Sequence, residues 1–97
     1  MSKIVFLCGA ISADENHVDK FYDAETKLIA LGYTVLDPIM LPAKLNYDIW
    51  LRITFEMVEA ADLIVLFDDW TASLRARSEV RYALDKDKEL IRYQDII

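Results

Sequence analysis

The stretch Lys3-Ile4-Val5-Phe6-Leu7-Cys8-Gly9 decides the fold, because it is an unbroken run of strand-forming apolar residues that a glycine ends. A run without polar alternation is typical of a strand that is covered on both faces. Residues Asp62–Phe67 form a second run of the same kind. We therefore predict two central strands of a parallel sheet.

Three amphipathic helices are predicted around these strands. Apolar residues at helical spacing predict the first helix from about 14 to 31, with Ser12 and Glu15 at capping-box spacing and Gly32 closing it. The second helix is predicted from 48 to 61, and the third ends near Lys86. Residues 37–47 are predicted to form an irregular loop, because they carry two prolines.

Shorter strands are predicted at residues 33–36 and 89–93, which gives the order βαβαβαβ without a hairpin signal. This order predicts a three-layer α/β sandwich of the Rossmann or flavodoxin-like type. The predicted sheet has four parallel strands in the order 2-1-3-4. The chain of 97 residues is long enough for one domain, which spans residues 1–97.

Composition excludes several classes of function. The formal charge of -6 disfavours polymeric nucleic acid, which needs basic side chains to neutralise phosphates. One cysteine and one histidine cannot build a cysteine- or histidine-based metal site, and we expect no metal and no cofactor. The N-terminal apolar run is too short to cross a bilayer, so we expect a cytoplasmic protein without membrane contact. A small chain that is 55% hydrophobic is expected to form a homo-oligomer, a dimer or tetramer.

The strand order predicts where a ligand binds. In a doubly wound sheet, ligands bind outside the carboxyl ends of the strands where the strand order reverses, here between the first and third strands. Two loops meet at this point. They are Gly9-Ala10-Ile11-Ser12 and residues 68–73, and both lead into helix N-termini whose free amides favour an anion or a polyhydroxyl group.

Glu79 is the main candidate for chemistry, because it lies at the border of the apolar stripe of the third helix. A half-buried carboxylate at such a position can serve as a general acid or as a nucleophile toward a sugar carbon. The alternative is structural: Arg75 lies four residues earlier, so the two side chains can form an ordinary surface ion pair.

Other polar residues of the second loop have two interpretations each. Ser73 either caps the third helix or holds a sugar hydroxyl or phosphate. Arg75 either adds phosphate affinity or is solvated. Asp68 either binds a sugar hydroxyl or stabilises the following helix by its favourable interaction with the helix dipole. Trp70 either stacks on a base or covers the pocket. We interpret Trp50 as core or subunit interface and His17 as a surface residue.

Several motifs together resemble the nucleoside 2-deoxyribosyltransferase-like superfamily, and in particular its small, mostly uncharacterised members, many of them encoded by phages. The resemblance covers nearly the whole chain. The motifs are Cys8-Gly9-Ala10-Ile11, the block Tyr47–Arg52, Ala61-Asp62, and Trp70-x-x-Ser73-x-x-Ala76-x-x-Glu79 with Ala83.

The resemblance implies a nucleoside or nucleotide as the small-molecule partner. It implies that Glu79 attacks the anomeric carbon and releases the base, and that Ser73 helps to bind a 5′-phosphate. Three positions depart from the family pattern: Phe6 stands for a tyrosine, Thr54 for a second carboxylate, and Arg75 for a glycine.

Three hypotheses follow. The first is cleavage or transfer of an N-glycosidic bond through Glu79. The second is a non-catalytic protein that binds or sequesters a nucleotide with Ser12, Ser73, Arg75 and the loop amides. The third is a small interaction module that acts through its oligomer surface.

Overall fold

The structure is a computed structural model and describes residues 2–11 and 17–97. Its sheet has four strands, all paired in parallel. They are β1 (Ile4–Cys8), β2 (Thr34–Leu36), β3 (Leu63–Leu66) and β4 (Glu89–Arg92). The strand order is β2-β1-β3-β4, so the predicted α/β class and the predicted order are confirmed.

Four helices connect or follow the strands. They are α1 (His17–Ala30), α2 (Tyr47–Ala60), α3 (Leu74–Asp85) and the short α4 (Tyr93–Ile96). The loop predicted at residues 37–47 contains a 3-10 turn at Pro38–Met40, and a second 3-10 turn at Asp68–Ala72 leads into α3. In the described part of the chain, no helix has the length and the apolar content that crossing a membrane requires.

Side chains of β1 alternate between two apolar clusters, one on each face of the sheet. Val5 and Leu7 pack with the buried residues of α1. Phe6 and Cys8 point to the opposite face, where they pack with residues of α2 and α3. This alternation places Cys8 on the same side of the sheet as Glu79 of α3, and so fixes one wall of the site described below.

Helix ends are capped as their residue types suggest. Gly32 follows α1 with a φ of +100°, the left-handed conformation that glycine adopts without strain. The side chain of Asn46 accepts from the amide of Ile49 at the start of α2, at 2.9 Å. The predicted capping box of Ser12 and Glu15 lies outside the described residues.

Gly9 is required by the close approach of β1 to the end of β3. A Cβ at this position would lie 2.7 Å from Cδ2 of Phe67 and 3.0 Å from Oδ1 of Asp69. We predict that Gly9→Ala lowers the free energy of unfolding by about 1–3 kcal/mol, because the buried Phe67 ring has little room to shift. Urea unfolding measures the change.

The Phe67→Val background is the control for this prediction, because valine has no δ carbon to meet the new methyl group. There Gly9→Ala should cost clearly less. An equal cost in both backgrounds would mean that the contact with the Phe67 ring is not what makes glycine necessary, because the contact with Cβ at position 67, at 3.0 Å, is present in both.

Candidate functional site

A cavity of about 490 Å³ opens at the carboxyl ends of β1 and β2. We call it the strand-end cavity. Its lining comes from the segments after β1 and β2 and from the first turns of the three long helices. The lining residues are Ile11, His17, Val18, Ile39, Leu41, Ala43, Trp50 and Arg75. The volume lies within the range of small-ligand sites.

Glu79 lies beneath this cavity and does not line it. Its side chain belongs to α3 and is only 3% exposed, so the surface ion pair considered above is excluded. The indole N–H of Trp50 donates to Oε2 of Glu79 at 3.2 Å. Trp50 therefore forms both a wall of the strand-end cavity and a direct contact to the buried carboxylate.

Two more side chains surround the carboxylate. The thiol of Cys8 donates to Oε1 of Glu79 at 3.5 Å, which joins β1 to α3. Thr54 of α2 is fully buried beside Glu79 and favours its charged form, yet its Oγ1 makes no hydrogen bond of normal geometry within the described structure. This hydroxyl is therefore a buried polar group without a well-formed partner.

Burial controls the charge of this site. Removal from water raises the pKa of the Glu79 carboxyl from 4.5 to about 7, although contacts from Thr54, Trp50 and Cys8 and the charge of Arg75 work in the opposite direction. The carboxyl is thus divided between its neutral and charged forms near pH 7. Cys8 is also buried. Its burial is the main cause, and the charge of Glu79 the second, that raises the pKa of the Cys8 thiol well above its usual value, so Cys8 stays a neutral thiol.

Arg75 lies one helical turn before Glu79 and extends across Trp50. Its guanidinium carbon is 4.6 Å from the centre of the Trp50 ring, a cation–π contact. Its Nη2 donates to the carbonyl oxygen of Leu45 at 3.2 Å, in the segment that precedes α2. The side chain therefore joins α3 to that segment above the buried carboxylate.

Of the other predicted binding residues, Ile11 lines the cavity, and Ser12 lies outside the described residues. Ser73 is buried and caps α3, accepting from the amide of Ala76 at 3.2 Å. Four predicted residues do not line the cavity. Phe6, Gly9 and Ala10 are packed in and after β1, and Trp70 is half-buried against the apolar cluster of α2 and α3.

Asp68 and Asp69 differ, although they are adjacent in the sequence. Asp68 is exposed and accepts from the side-chain amide of Gln94 at 3.4 Å, away from the cavity. Asp69 accepts from the backbone amide of Ala10 at 3.0 Å and pairs with Lys20 of α1. It joins the two predicted loops, so its role is to hold the segment after β1.

We predict that Asp69→Ala lowers the free energy of unfolding by about 1 kcal/mol, because it leaves the part-buried amide of Ala10 without its acceptor. The matched control is Asp68→Ala, which removes the adjacent carboxylate from an exposed position and should have little effect. Thermal unfolding of the two variants measures the difference. Equal losses would contradict the role given to Asp69.

Sequence reasoning missed two residues of the site. Trp50 was interpreted as core or interface, and it is indeed 1% exposed, but its indole N–H also binds Glu79. His17 was interpreted as a surface residue, and it is half-buried at the cavity. An aromatic residue in an apolar helix stripe carries no sign of a polar partner, so the sequence offered no signal for the Trp50 contact.

A second cavity, of about 410 Å³, lies at the carboxyl ends of β3 and β4, where Asp68, Asp69 and Tyr93 contribute to its lining. A third cavity, of about 890 Å³, is on the outer side of α2, where Ile49, Ile53 and Tyr82 contribute to its lining. Across residues 2–11 and 17–97, no group of three or more potential metal ligands is found.

Comparison with known structures gives a fold. The chain is similar to the structure of a 2-desoxiribosyltransferase from Leishmania mexicana, with a TM-score of 0.74 and 15% sequence identity. The match covers 93% of this chain and 63% of that chain, so the present chain spans less than two thirds of its neighbour's length. The predicted resemblance is thereby supported at the level of the fold.

Comparison with known sequences gives a family. No curated protein matches the chain. Residues 3–92 match the family described as "Domain of unknown function (DUF4406)". This match covers nearly the whole sequence, and the chain belongs to the DUF4406 family.

Proposed function

We propose that this protein cleaves or transfers the N-glycosidic bond of a nucleoside or nucleotide, with Glu79 as the nucleophile. The observation that carries the proposal is the buried Glu79 carboxylate, held by Trp50 and Cys8 next to a cavity at the carboxyl ends of the strands. The fold shared with a 2-desoxiribosyltransferase supports it.

The reaction has two steps. In the first, a carboxylate oxygen of Glu79 forms a bond to the anomeric carbon, while the bond from that carbon to the base breaks and its electron pair leaves with the base, which takes a proton from solvent. In the second, water or a second base attacks the same carbon and frees the carboxylate. Water gives hydrolysis and a base gives transfer, and in both cases the attacking molecule loses a proton to solvent.

The surroundings of Glu79 suit this chemistry. The indole N–H of Trp50 fixes one carboxylate oxygen, which leaves the other to attack, and its present contact is the weak thiol donor of Cys8. The pKa of about 7 leaves a large charged fraction at neutral pH and gives a more basic oxygen than an exposed glutamate has. In this proposal Ile11, Ser12 and the loop amides bind the sugar.

Incubation with a panel of deoxynucleosides and their 5′-monophosphates tests the proposal. Chromatography should detect free base from at least one member, and a second base added in excess should give a new nucleoside if the enzyme is a transferase. Absence of free base across the panel, with folded protein shown by circular dichroism, would overturn the enzymatic proposal.

A second candidate is a nucleotide-binding protein without catalysis. It is favoured by the enclosure of Glu79, which is 3% exposed, and by two departures from the resembled family. Phe6 brings no hydroxyl, and Thr54 brings no second carboxylate. This candidate predicts that a nucleotide raises the melting temperature while no base is released. If no member of the panel changes the melting temperature, the binding candidate fails as well.

We also propose that the protein belongs to the small, often phage-encoded branch of the superfamily, that it is located in the cytoplasm, and that it forms a homo-oligomer. The partly exposed Ile49 and Ile53 on the outer face of α2 favour contact with a second copy. Light scattering of the purified chain measures the oligomeric state.

A further inference from the structure

We propose that Arg75 is a gate above Glu79 and that it opens for a ligand carrying a phosphate group. The proposal rests on the proposed function, since it concerns access to the same carboxylate. It adds a specificity-determining residue and a substrate class, a phosphorylated nucleoside in preference to a free one.

Access to Glu79 is the first argument. An almost fully buried carboxylate cannot reach a sugar in the strand-end cavity, so a side chain between the two must move. Two candidates line the cavity and lie close to Glu79, namely Trp50 and Arg75. Within the part of the chain that the structure describes, these two are therefore the candidates for the gate.

Of these two side chains, Arg75 is the one that can move at lower cost. Trp50 is 1% exposed, and moving its ring would remove the indole donor from a buried carboxylate, which is costly. Arg75 is half-buried and is held by one hydrogen bond to the Leu45 carbonyl and by its contact with the Trp50 ring. Both contacts can be exchanged for contacts with a ligand.

The charged side chains that line the cavity indicate which chemical group can open the gate. The chain carries a net charge of -6, yet the cavity lining contains Arg75 and His17 and, among the described residues, no acidic side chain. No ion pair of Arg75 occurs within residues 2–11 and 17–97. A phosphate offers its guanidinium two charge-assisted hydrogen bonds, which are stronger than the neutral carbonyl contact they replace.

A consequence for specificity follows. A free nucleoside offers the guanidinium only neutral acceptors, which have no advantage over the Leu45 carbonyl, so it opens the gate only at higher concentration. A phosphorylated nucleoside draws Arg75 away from the Trp50 ring and uncovers Glu79. The departure from the family pattern at position 75 then becomes the element that selects the substrate.

Fluorescence of Trp50 tests the gate, because the guanidinium lies against its ring. Trp70→Phe leaves Trp50 as the only tryptophan, and Glu79→Gln prevents turnover. In this double variant we expect a deoxynucleoside 5′-monophosphate to change the emission at concentrations about tenfold lower than the free deoxynucleoside requires. Inorganic phosphate alone is the second probe and separates the phosphate effect from that of the nucleoside.

Arg75→Ala added to this background should abolish the preference for the phosphorylated ligand, whereas Arg77→Ala, the exposed arginine two residues along α3, should leave it unchanged. An emission change that does not depend on Arg75, or no response to any phosphate probe, overturns the gate. If Arg75-dependent changes occur but the wild-type protein releases no base, the reaction is overturned and the gate stands. Base release without any Arg75-dependent change overturns the gate alone.

Discussion

Glu79→Gln is expected to abolish the release of base. Glutamine has nearly the same shape and can still accept from the indole N–H of Trp50, but it has no charged oxygen to attack the anomeric carbon. We expect the rate to fall by about 10³-fold or more, the size of effect seen when a covalent nucleophile is removed. Chromatography of free base at saturating substrate measures it.

Glu56→Gln is the matched control, because Glu56 is exposed on α2 and has no contact with the strand-end cavity. Its rate should equal that of the wild type. If Glu79→Gln released base at the wild-type rate, the carboxylate would have no chemical role.

The stability of the protein should fall as the pH rises from about 5 to 8. Burial raises the pKa of Glu79 from 4.5 to about 7, so within this window the folded protein keeps a proton that the unfolded chain has released. Stability therefore decreases with pH until it levels off above pH 7, and the loss from this one group is about 3 kcal/mol. Urea unfolding at a series of pH values measures the slope.

Glu79→Gln should remove most of this slope and unfold at a higher urea concentration than the wild type at pH 8. Asp37 contributes in the same direction, because burial raises its carboxyl pKa from 3.8 to about 6. Its contribution is present in both proteins, so the difference between the two curves isolates Glu79. Parallel curves for wild type and variant would contradict the buried, uncharged state assigned to Glu79 at low pH.

Glu79→Gln is expected to change activity and stability in opposite directions. One substitution should remove activity and raise stability at alkaline pH, the trade-off expected when a charge is kept in a buried site for chemistry. A purely structural role for Glu79 would give the same change in stability, because that change follows from burial alone, but it would leave the release of base intact.

The fold could be predicted because its signals are local. The apolar runs at β1 and β3 contain their own boundaries, and Gly32 ends α1 with the left-handed conformation that its residue type suggests. The parallel order 2-1-3-4 followed from the alternation of strands and helices. The short α4 was missed because four residues contain too little of a helical period to recognise.

The site could be predicted only in part, because its contacts join residues far apart in the chain. Glu79 was found from its position on a helix stripe. Its partners Trp50 and Cys8 come from another helix and from a strand, and neither residue type signals a polar contact when buried. The contact of Arg75 with the Leu45 carbonyl depends on how α3 packs against the segment before α2, which no spacing reveals.

The most direct test of Glu79 as the nucleophile is mass spectrometry of the protein after incubation with a 2′-fluorinated deoxynucleoside 5′-monophosphate. Fluorine next to the anomeric carbon slows both steps, because it destabilises the positive charge that develops at that carbon. Where the second step is the slower one, the sugar remains on the enzyme. We predict an adduct of the fluorinated sugar phosphate on the peptide that contains Glu79, and no adduct in Glu79→Gln. Base release with no adduct on Glu79, or an adduct that persists in the glutamine variant, would contradict the mechanism.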